Sequence, residues 1–401
     1  MTLIRQTLQN LKKRRENQIQ GKINCIQNPI KALVEDFPGI EQEEYIIVTG
    51  AQKTAKSQFT SWMFIYTPIL YAYEHPDIVR VKIFYAPLEE SKEKVIMRFM
   101  RYLMFMRSGR RLRVTHHELN STLAGRPVDE GILELLETEE YQKILNFFEE
   151  NVIFVDATNP TGIYKTLVKY ADEHGKRIFK KVTVVNEFGE EDTIDIFDHY
   201  EPDDPDEYVI VVTDHVGLLK EESGLDKRNT IKKWSSYCME IRDRYRYIPV
   251  NVQQQSTETL DKEAFKLNRI RPTPAGLADC KDTRYDCNVM IGLTNPYAMD
   301  VKSYLGYDIT RLRDHQRFVE IMLSRDGTAN SVKAMYFDGA VSFFAEMKNP
   351  SSEGFADFMN QIYNLIESLK PQNRQKVSLF ALKRLKKFVS LHYKPKQKCQ
   401  I

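Results

Sequence analysis

The stretch "IIVTGAQKTAKSQFT", residues Ile46–Thr60, decides the interpretation of the whole chain. A run of apolar and β-branched residues leads into Gly50, and a Lys–Ser pair follows six residues later. Phosphate-binding loops have the pattern G-x-x-x-x-G-K-[ST], in which backbone N–H groups wrap the phosphates and a helix begins behind them. Gly50, Lys56 and Ser57 fit this pattern, but Ala55 replaces the second glycine. We expect the extra methyl group to perturb the loop locally without removing its chemistry.

Composition is that of an ordinary globular protein, with 42% hydrophobic and 28% charged residues among 401. This length allows one large domain with appendages, or two domains. The five cysteines include no C-x-x-C pair and their number is odd, so neither a zinc site nor a disulfide framework is indicated. A reducing, cytoplasmic location is therefore expected. No run approaches the roughly 18 apolar residues of a membrane span, and no membrane partner is predicted.

Charge is distributed unevenly along the chain. Residues 187–207 contain eleven acidic side chains and no lysine or arginine, within a segment of about 176–207 that we interpret as a solvated β-hairpin insertion. Residues 371–401 contain nine basic side chains and no acidic ones. This basic tail could bind nucleic acid or dock on a protein partner, or it could be a solvated tail.

Hydrophobic patterning predicts an α/β fold. From residue 45 onwards, short strands that are apolar on both faces alternate with helices, which favours a mainly parallel sheet covered on both faces. The segment at 317–347 instead contains strand-like runs separated by "RDG" and "DG", which are signals for β-hairpins. Residues 2–20 have apolar side chains at helical spacing but are too few to fold alone, so we expect an amphipathic helix that packs on something else.

Three further polar groups follow predicted strands. Asp214 ends "YVIVVTD", where a carboxylate could lie near a metal ion bound to phosphate, although an aspartate in a turn is an equally simple reading. Glu89 or Glu90 ends "FYAPLEE" and could act as a general base; the alternative is a glutamate favoured by a helix dipole. Gln255 ends "IPVNVQQQ" and could sense a γ-phosphate, or it could be a polar strand exit.

The order of these motifs resembles the RecA-like motor domain of DnaB-type replicative hexameric helicases, especially compact phage-type versions. "APLEES" looks like the family's "SLEMS" element, "VVTDHVGLL" is similar to its Walker B strand, and "IPVNVQQQ" resembles "VPVIALSQ". "GLADCKDTRYDCNVMIGL" resembles "LRESGAIEQDADVVM", and "IMLSRDGTANSVKAMYFDG" resembles "IIAKQRNGPTGTVHLAFLG". The resemblance covers roughly residues 40–345. It implies a RecA-like P-loop NTPase fold with an N-terminal linker helix and C-terminal β-hairpins.

The resemblance also implies roles for individual residues. Glu89 would be the catalytic glutamate, Gln255 the sensing glutamine, and Arg325 an arginine finger that reaches the ATP of a neighbouring subunit. Mg²⁺ would be held by Ser57 and Asp214. The ATP-binding loop would comprise Gly50, Ala51, Gln52, Lys53, Thr54, Ala55, Lys56, Ser57 and Gln58.

At the level of the whole protein, the resemblance implies a ring, expected to be a homo-hexamer, that moves 5′ to 3′ on single-stranded DNA and unwinds duplex DNA during replication. A primase or a helicase loader is a possible partner, and the host cytoplasm is the expected location if the chain is phage-encoded. The expected domains are a linker helix at 1–24, an ATPase domain at 25–350, and a C-terminal helix with the basic tail at 351–401.

Two loops are candidates for contact with the DNA backbone. The loop after the Walker B strand carries Lys227 and Arg228, and the loop after the glutamine strand carries Lys266, Arg269 and Arg271. Non-specific binding of a single strand needs basic groups that follow its backbone, and these loops supply them. An ordinary solvated loop is the alternative in each case.

Departures from the family pattern leave other functions open. Besides Ala55, Leu323 stands where the family has a lysine two residues before the arginine finger, and the N-terminal helical domain of the bacterial proteins is not matched. One alternative is a RecA-like ATPase of recombinase or clock-protein type that does not unwind processively. Another is a degenerate P-loop protein that serves as a structural ring.

Overall fold

The structure, a computed structural model, describes residues 3–185, 191–256, 270–329 and 331–369. The α-helices in these ranges are α1 (Leu3–Ile19), α2 (Lys56–Ser61), α3 (Thr67–Glu74), α4 (Lys92–Arg107), α5 (His116–Leu119), α6 (Glu130–Glu137), α7 (Glu139–Asn151), α8 (Pro160–Glu173), α9 (Lys227–Tyr245), α10 (Ile309–Leu312) and α11 (Phe355–Ser368). A π-helical turn, Trp62–Tyr66, joins α2 to α3.

The strands in the same ranges are β1 (Ile26–Gln27), β2 (Gly39–Ile40), β3 (Ile46–Gly50), β4 (Arg80–Pro87), β5 (Val152–Phe154), β6 (Gly175–Val185), β7 (Glu191–Pro202), β8 (Glu207–Asp214), β9 (Ile248–Gln254), β10 (Val289–Thr294), β11 (Ser303–Tyr304), β12 (Tyr307–Asp308), β13 (Gln316–Ser324), β14 (Val332–Asp338) and β15 (Phe343–Glu346).

Nine strands form the central sheet, in the order β15-β14-β13-β10-β3-β9-β8-β4-β5. The six strands from β10 to β5 are parallel, and β13, β14 and β15 add to one side as antiparallel strands. The predicted mainly parallel sheet with C-terminal hairpins is therefore confirmed. Because the parallel strands point the same way, β3, β8 and β9 all end at one edge of the sheet, which we call the carboxyl edge.

Helices bury both faces of the sheet. On one face, Val48, Val212 and Val250 lie in the same apolar cluster as Phe59 of α2 and Phe99 of α4. We call this the α2 face. On the other face, Ile47 and Val211 cluster with Ile163 of α8 and Trp234 of α9. Alternate residues of each strand thus pack on different helix layers, which explains why the strands are apolar throughout.

Two elements extend away from the central sheet. The hairpin of β6 and β7 forms a two-stranded sheet of its own, pairing Gly175 with Pro202 at its base. The apolar side chains of α1, Ile4, Leu8 and Leu11, are all more than half exposed. Among the described residues, no helix is long and apolar enough to span a bilayer. The basic tail lies outside the described residues.

Candidate nucleotide-binding site

Gly50 lies where no side chain fits. It ends β3, and a Cβ atom at this position would lie 2.5 Å from the carbonyl oxygen of Leu293 and 2.7 Å from Oγ1 of Thr54. A Cβ atom does not come this close to a non-bonded neighbour, so a larger residue would push the P-loop away from β10. The first glycine of the motif is therefore required by crowding.

Ala55 shows a different requirement at the second glycine position. Its backbone is left-handed, with φ 65° and ψ 34°, and Lys53 in the same loop has φ 60°. A residue with a Cβ adopts this region at a cost of about 1–2 kcal/mol, whereas glycine adopts it freely. The sequence predicts a local perturbation by the extra methyl group of Ala55. The structure shows where the perturbation lies, which is in the backbone conformation that Ala55 must adopt.

Lys56 is buried at the first position of α2, with 8% of its surface exposed. Its Nζ donates a hydrogen bond to the carbonyl oxygen of Ala51, 2.8 Å away, inside the loop. Burial lowers the pKa of Lys56 to about 8, and the carboxylates of Asp214 and Glu89 partly oppose this shift. A buried ammonium group beside the first helical turn is well suited to meet an anionic phosphate.

Asp214 lies next to Ser57 although 157 residues separate them. The Ser57 hydroxyl donates to Oδ1 of Asp214 at 3.0 Å, and the hydroxyl of Tyr85 lies 3.4 Å from Oδ2. Asp214 is only 3% exposed, and burial raises its pKa to about 6, against the lowering effect of the Ser57 hydrogen bond. Two hard oxygen donors fit Mg²⁺, which takes few protein ligands and fills its shell with water and phosphate oxygens.

Glu89 and Glu90 differ in their availability. The carboxylate of Glu90 forms a bidentate ion pair with the guanidinium of Arg98, with one hydrogen bond of 2.7 Å. Glu89 is exposed at the carboxyl edge and has no hydrogen bond or ion pair within the described part of the chain. It nevertheless acts electrostatically on Lys56 and Asp214. Of the two carboxylates, Glu89 is therefore the one that is not engaged by another side chain within the described residues.

Gln255 is fully engaged by its neighbours. Its Nε2 donates to Oγ1 of Thr49 at 3.0 Å and to the carbonyl oxygen of Thr273 at 3.1 Å, and its Oε1 accepts from the N–H of Thr273 at 3.2 Å. Gln254 is half-buried, and within the described residues its side-chain amide makes no hydrogen bond. Side chains alternate along a strand, so Gln254 shares the α2 face with Ile248 and Val250. Asp214 lies on that face.

Arg325 lies at the opposite edge of the sheet. It follows β13, which runs antiparallel to β10, and Ser324 pairs with Val289 at the start of β10. The exposed Arg325 donates from its backbone to the carbonyl oxygen of Asn288, at 3.0 Å, and from its guanidinium to that of Tyr285. Because the register places this position level with the start of β3, roughly 13 Å of strand separates it from Gly50. Arg325 is not part of the site of its own chain.

The candidate DNA-binding cations are largely paired within the chain. Lys227 donates to the carbonyl oxygen of Gly217 at 2.6 Å, and Arg228 forms an ion pair with Asp282 at 2.8 Å. Arg271 forms a bidentate ion pair with Glu320, in which one hydrogen bond measures 2.9 Å. The remaining two candidates, Lys266 and Arg269, lie outside the described residues. Contact of these five side chains with DNA stays a prediction.

Two residues that the sequence did not indicate touch the P-loop. Nδ2 of Asn295 donates to the carbonyl oxygen of Lys53 at 2.9 Å, and Nε of Arg317 donates to that of Thr54 at 3.0 Å. They come from the end of β10 and the start of β13. No local pattern marks them, because their role depends on how distant strands pair.

Comparison of the sequence with protein-family models and with characterised proteins finds no match. Solved structures do match the fold. One of them, an ATPase domain, superimposes with a TM-score of 0.56 and 13% identity, over 87% of this chain and 100% of that chain. A DnaB-like replicative helicase, solved in a study of its interactions with primase, superimposes with a TM-score of 0.51 and 14% sequence identity. The match covers 81% of this chain and 64% of that chain. The chain thus has the RecA-like P-loop NTPase fold, and the resemblance to DnaB-type ATPase domains is confirmed at that level.

The two glycine positions of the loop should differ in their sensitivity to substitution. We expect Gly50→Ala to lower the free energy of unfolding by about 1–3 kcal/mol, because the new Cβ overlaps the Leu293 carbonyl group. Ala55→Gly should change it by less than about 1 kcal/mol, since relief of left-handed strain offsets the larger chain entropy of glycine. Urea unfolding without nucleotide measures both, and equal losses would contradict these two roles.

Asp214→Asn should stabilise the nucleotide-free protein at pH 7. The raised pKa of Asp214 means that its ionisation costs stability as pH increases from about 4 to 6. Removing that ionisation should raise the free energy of unfolding by about 3 kcal/mol at pH 7, with little difference below pH 4. Urea unfolding between pH 4 and 8 checks this, and a difference that is constant across the range would rule out the explanation.

Proposed function

We propose that the chain is an ATP-hydrolysing helicase motor that assembles into a ring, a homo-hexamer, on single-stranded DNA. The observation that carries the proposal is the 3.0 Å contact between Ser57 and Asp214 behind a P-loop whose lysine is buried. The likeness of the fold to a solved ATPase domain and to a DnaB-like replicative helicase supports it. A primase or loader is the proposed partner, by analogy with the second of these.

In the proposed site, the N–H groups of residues 51–58 surround the ATP phosphates and Lys56 contacts the terminal ones. Ser57 and Asp214 would hold Mg²⁺, which when bound neutralises phosphate charge and favours transfer of the γ-phosphoryl group. Glu89 accepts the proton of the attacking water, because it lies at the carboxyl edge and its carboxylate is unpaired within the described chain. The fold thus supplies phosphate binding, metal binding and a base at one edge.

Besides Lys56, the proposed mechanism needs a second cation for the charge that develops on the γ-phosphoryl group during hydrolysis. We propose that Arg325 supplies it to the ATP of a second copy; its exposure at the opposite edge of the sheet, away from its own P-loop, supports this proposal. The exposed apolar side chains of α1 give a second surface for contact between copies. An arginine supplied in this way stabilises the transition state only when the interface closes, which couples hydrolysis to movement between subunits.

The two glutamines divide the remaining roles. Gln255 ties the exit of β9 to Thr49 and Thr273, whereas Gln254 points to the α2 face that carries Asp214. We therefore assign the contact with the γ-phosphate to Gln254 and a supporting role to Gln255. The sequence resemblance alone pointed to Gln255 for that contact.

An ATPase of the RecA-like kind that does not unwind processively is the second candidate. One observation favours it: Lys227, Arg228 and Arg271 are engaged with groups of their own chain, and pairing with Asp282 and Glu320 neutralises the two arginines. Under the leading proposal, Lys266 and Arg269 carry the DNA contact together with those three, and the basic tail at 371–401 adds to it. We retain the proposed division into a linker helix at 1–24, an ATPase domain at 25–350 and a tail at 351–401.

Fork unwinding tests the leading proposal directly. With ATP and Mg²⁺, the wild-type protein should separate a forked duplex that has a 5′ single-stranded tail. Lys56→Ala should abolish hydrolysis and unwinding, because the phosphates lose their buried cation. Hydrolysis without strand separation would favour the second candidate, and hydrolysis by the Lys56→Ala variant would overturn the site itself.

Mixed assemblies test the contribution of Arg325 from a second copy. Lys56→Ala and Arg325→Ala chains should each be inactive alone. In a 1:1 mixture, about a quarter of the interfaces combine an intact loop with an intact arginine, so ATP hydrolysis should return to about that fraction. If assemblies form, as shown by light scattering, and hydrolysis does not return, Arg325 does not act between copies.

The adjacent glutamines offer a matched pair of variants. Gln254→Asn should lower kcat by about tenfold to a hundredfold, because the shortened amide no longer reaches the phosphate. It should leave the free energy of unfolding unchanged within about 0.5 kcal/mol, since the side chain is only half-buried. Gln255→Asn should instead lower stability by about 2 kcal/mol through loss of buried hydrogen bonds. The reverse pattern would return the phosphate contact to Gln255.

A further inference from the structure

A cluster of polar side chains supports the P-loop from behind, at the carboxyl edge. Nδ2 of Asn295 donates to the carbonyl oxygen of Lys53 at 2.9 Å and to Oδ1 of Asp314 at 2.9 Å. Arg317 donates from Nε to the carbonyl oxygen of Thr54 at 3.0 Å and forms an ion pair with Asp314 at 3.0 Å. We call Asn295, Asp314 and Arg317 the loop clamp.

Arg317 is an unusual residue to find inside the protein. It is 2% exposed, its guanidinium lies 4.3 Å from the centre of the Phe337 ring, and burial lowers its pKa to about 10. Its ion-pair partner Asp314 has a side chain that is 61% exposed, which weakens the attraction by solvent screening. An apolar side chain would fill this position at a lower desolvation cost. The guanidinium is therefore better explained by what it contacts, which includes the carbonyl group of Thr54.

The clamped carbonyl groups belong to the two consecutive peptide units that lead into Ala55. The carbonyl of Thr54 belongs to the planar peptide unit that joins Thr54 to Ala55, so fixing its direction restricts ψ of Thr54 and φ of Ala55. The hydrogen bond from Asn295 fixes the carbonyl of Lys53, which restricts ψ of Lys53 and φ of Thr54 in the same way. Lys53 and Ala55 are the residues of the loop with left-handed backbones. The clamp thus contacts the loop where its conformation is most costly.

We propose that Asn295 and Arg317 are positioning residues that hold the P-loop in its phosphate-binding shape, and that they compensate for the missing second glycine. Their side-chain hydrogen bonds keep Ala55 in a region that glycine would adopt without support. The assignment of the ATP triphosphate as the ligand of the loop rests on the proposed function. The coupling between the clamp and Ala55 does not, because it concerns the conformation of the empty loop as well.

A double-mutant cycle between Arg317 and Ala55 tests the proposal. Arg317→Met keeps an unbranched apolar stem and removes the guanidinium donors. With Ala55 in place, it should weaken binding of a non-hydrolysable ATP analogue with Mg²⁺ by about tenfold or more, the factor that corresponds to loss of left-handed support. In combination with Ala55→Gly, most of this loss should disappear. Calorimetry gives the affinities, and steady-state kinetics should show a raised KM with a smaller change in kcat.

Two further variants keep the test interpretable. Asp314→Ala alters an exposed side chain, so it should fold, and by removing one partner from each of Asn295 and Arg317 it should weaken binding about threefold, again with recovery by Ala55→Gly. Arg113→Met is the matched control, because Arg113 is a largely buried arginine that pairs with Asp338 and makes no hydrogen bond to the P-loop among the described residues. Its effects should not respond to the residue at position 55.

The outcomes separate the clamp from the nucleotide. If Ala55→Gly changes affinity by the same factor with Arg317 and with methionine at that position, the compensation proposal is overturned. If the wild-type protein binds no ATP analogue, the proposed function fails, and the same cycle is then measured by urea unfolding. There, the loss caused by Arg317→Met should be smaller in the Ala55→Gly background. Additive losses in unfolding would overturn the clamp independently of any ligand.

Discussion

The hydrogen bond between Ser57 and Asp214 depends on the order of strands in the sheet. Ser57 begins the helix after β3, and Asp214 ends β8, yet β9 lies between these two strands. The contact is possible because all three strands are parallel and end at one edge, with α2 lying across the face that they share. A different strand order would separate the hydroxyl from the carboxylate, whatever the local sequence of either segment.

The buried charges at the carboxyl edge lower the stability of the nucleotide-free protein, and the same charges favour the binding of a phosphate. Burial lowers the pKa of Lys56 and raises that of Asp214, so each group is charged in surroundings that disfavour charge. Ala55 adds backbone strain at the same place. Such strained and poorly solvated groups persist where function selects them over stability. An anion and a divalent cation entering together would relieve both charges, which favours joint binding of a triphosphate with its metal.

Local patterns predicted the parts of the site that follow strands directly. The turn after β3 and the carboxylate after β8 each follow an apolar run, and the fold brings both to the carboxyl edge. The face on which Gln254 lies was also within reach, because counting alternate residues from Val250 gives the α2 face. Asn295 and Arg317 were not, since their contacts join segments about 240–260 residues apart in sequence and depend on strand pairing. The partners of Arg228 and Arg271 were hidden for the same reason.

Arg325 and the P-loop lie at opposite edges of the sheet, so the two edges of one chain carry different groups. Everything that would hold the phosphates lies at the carboxyl edge, while this arginine lies at the start of the parallel strands and cannot turn back to its own loop. Head-to-tail association would join one edge to the other edge of the next copy, and such heterologous contacts close into rings when the rotation between copies permits. A complete catalytic site would then exist only between two chains. The rate of hydrolysis would then depend on how closely the two chains approach at the interface, and movement at the interface would change that rate.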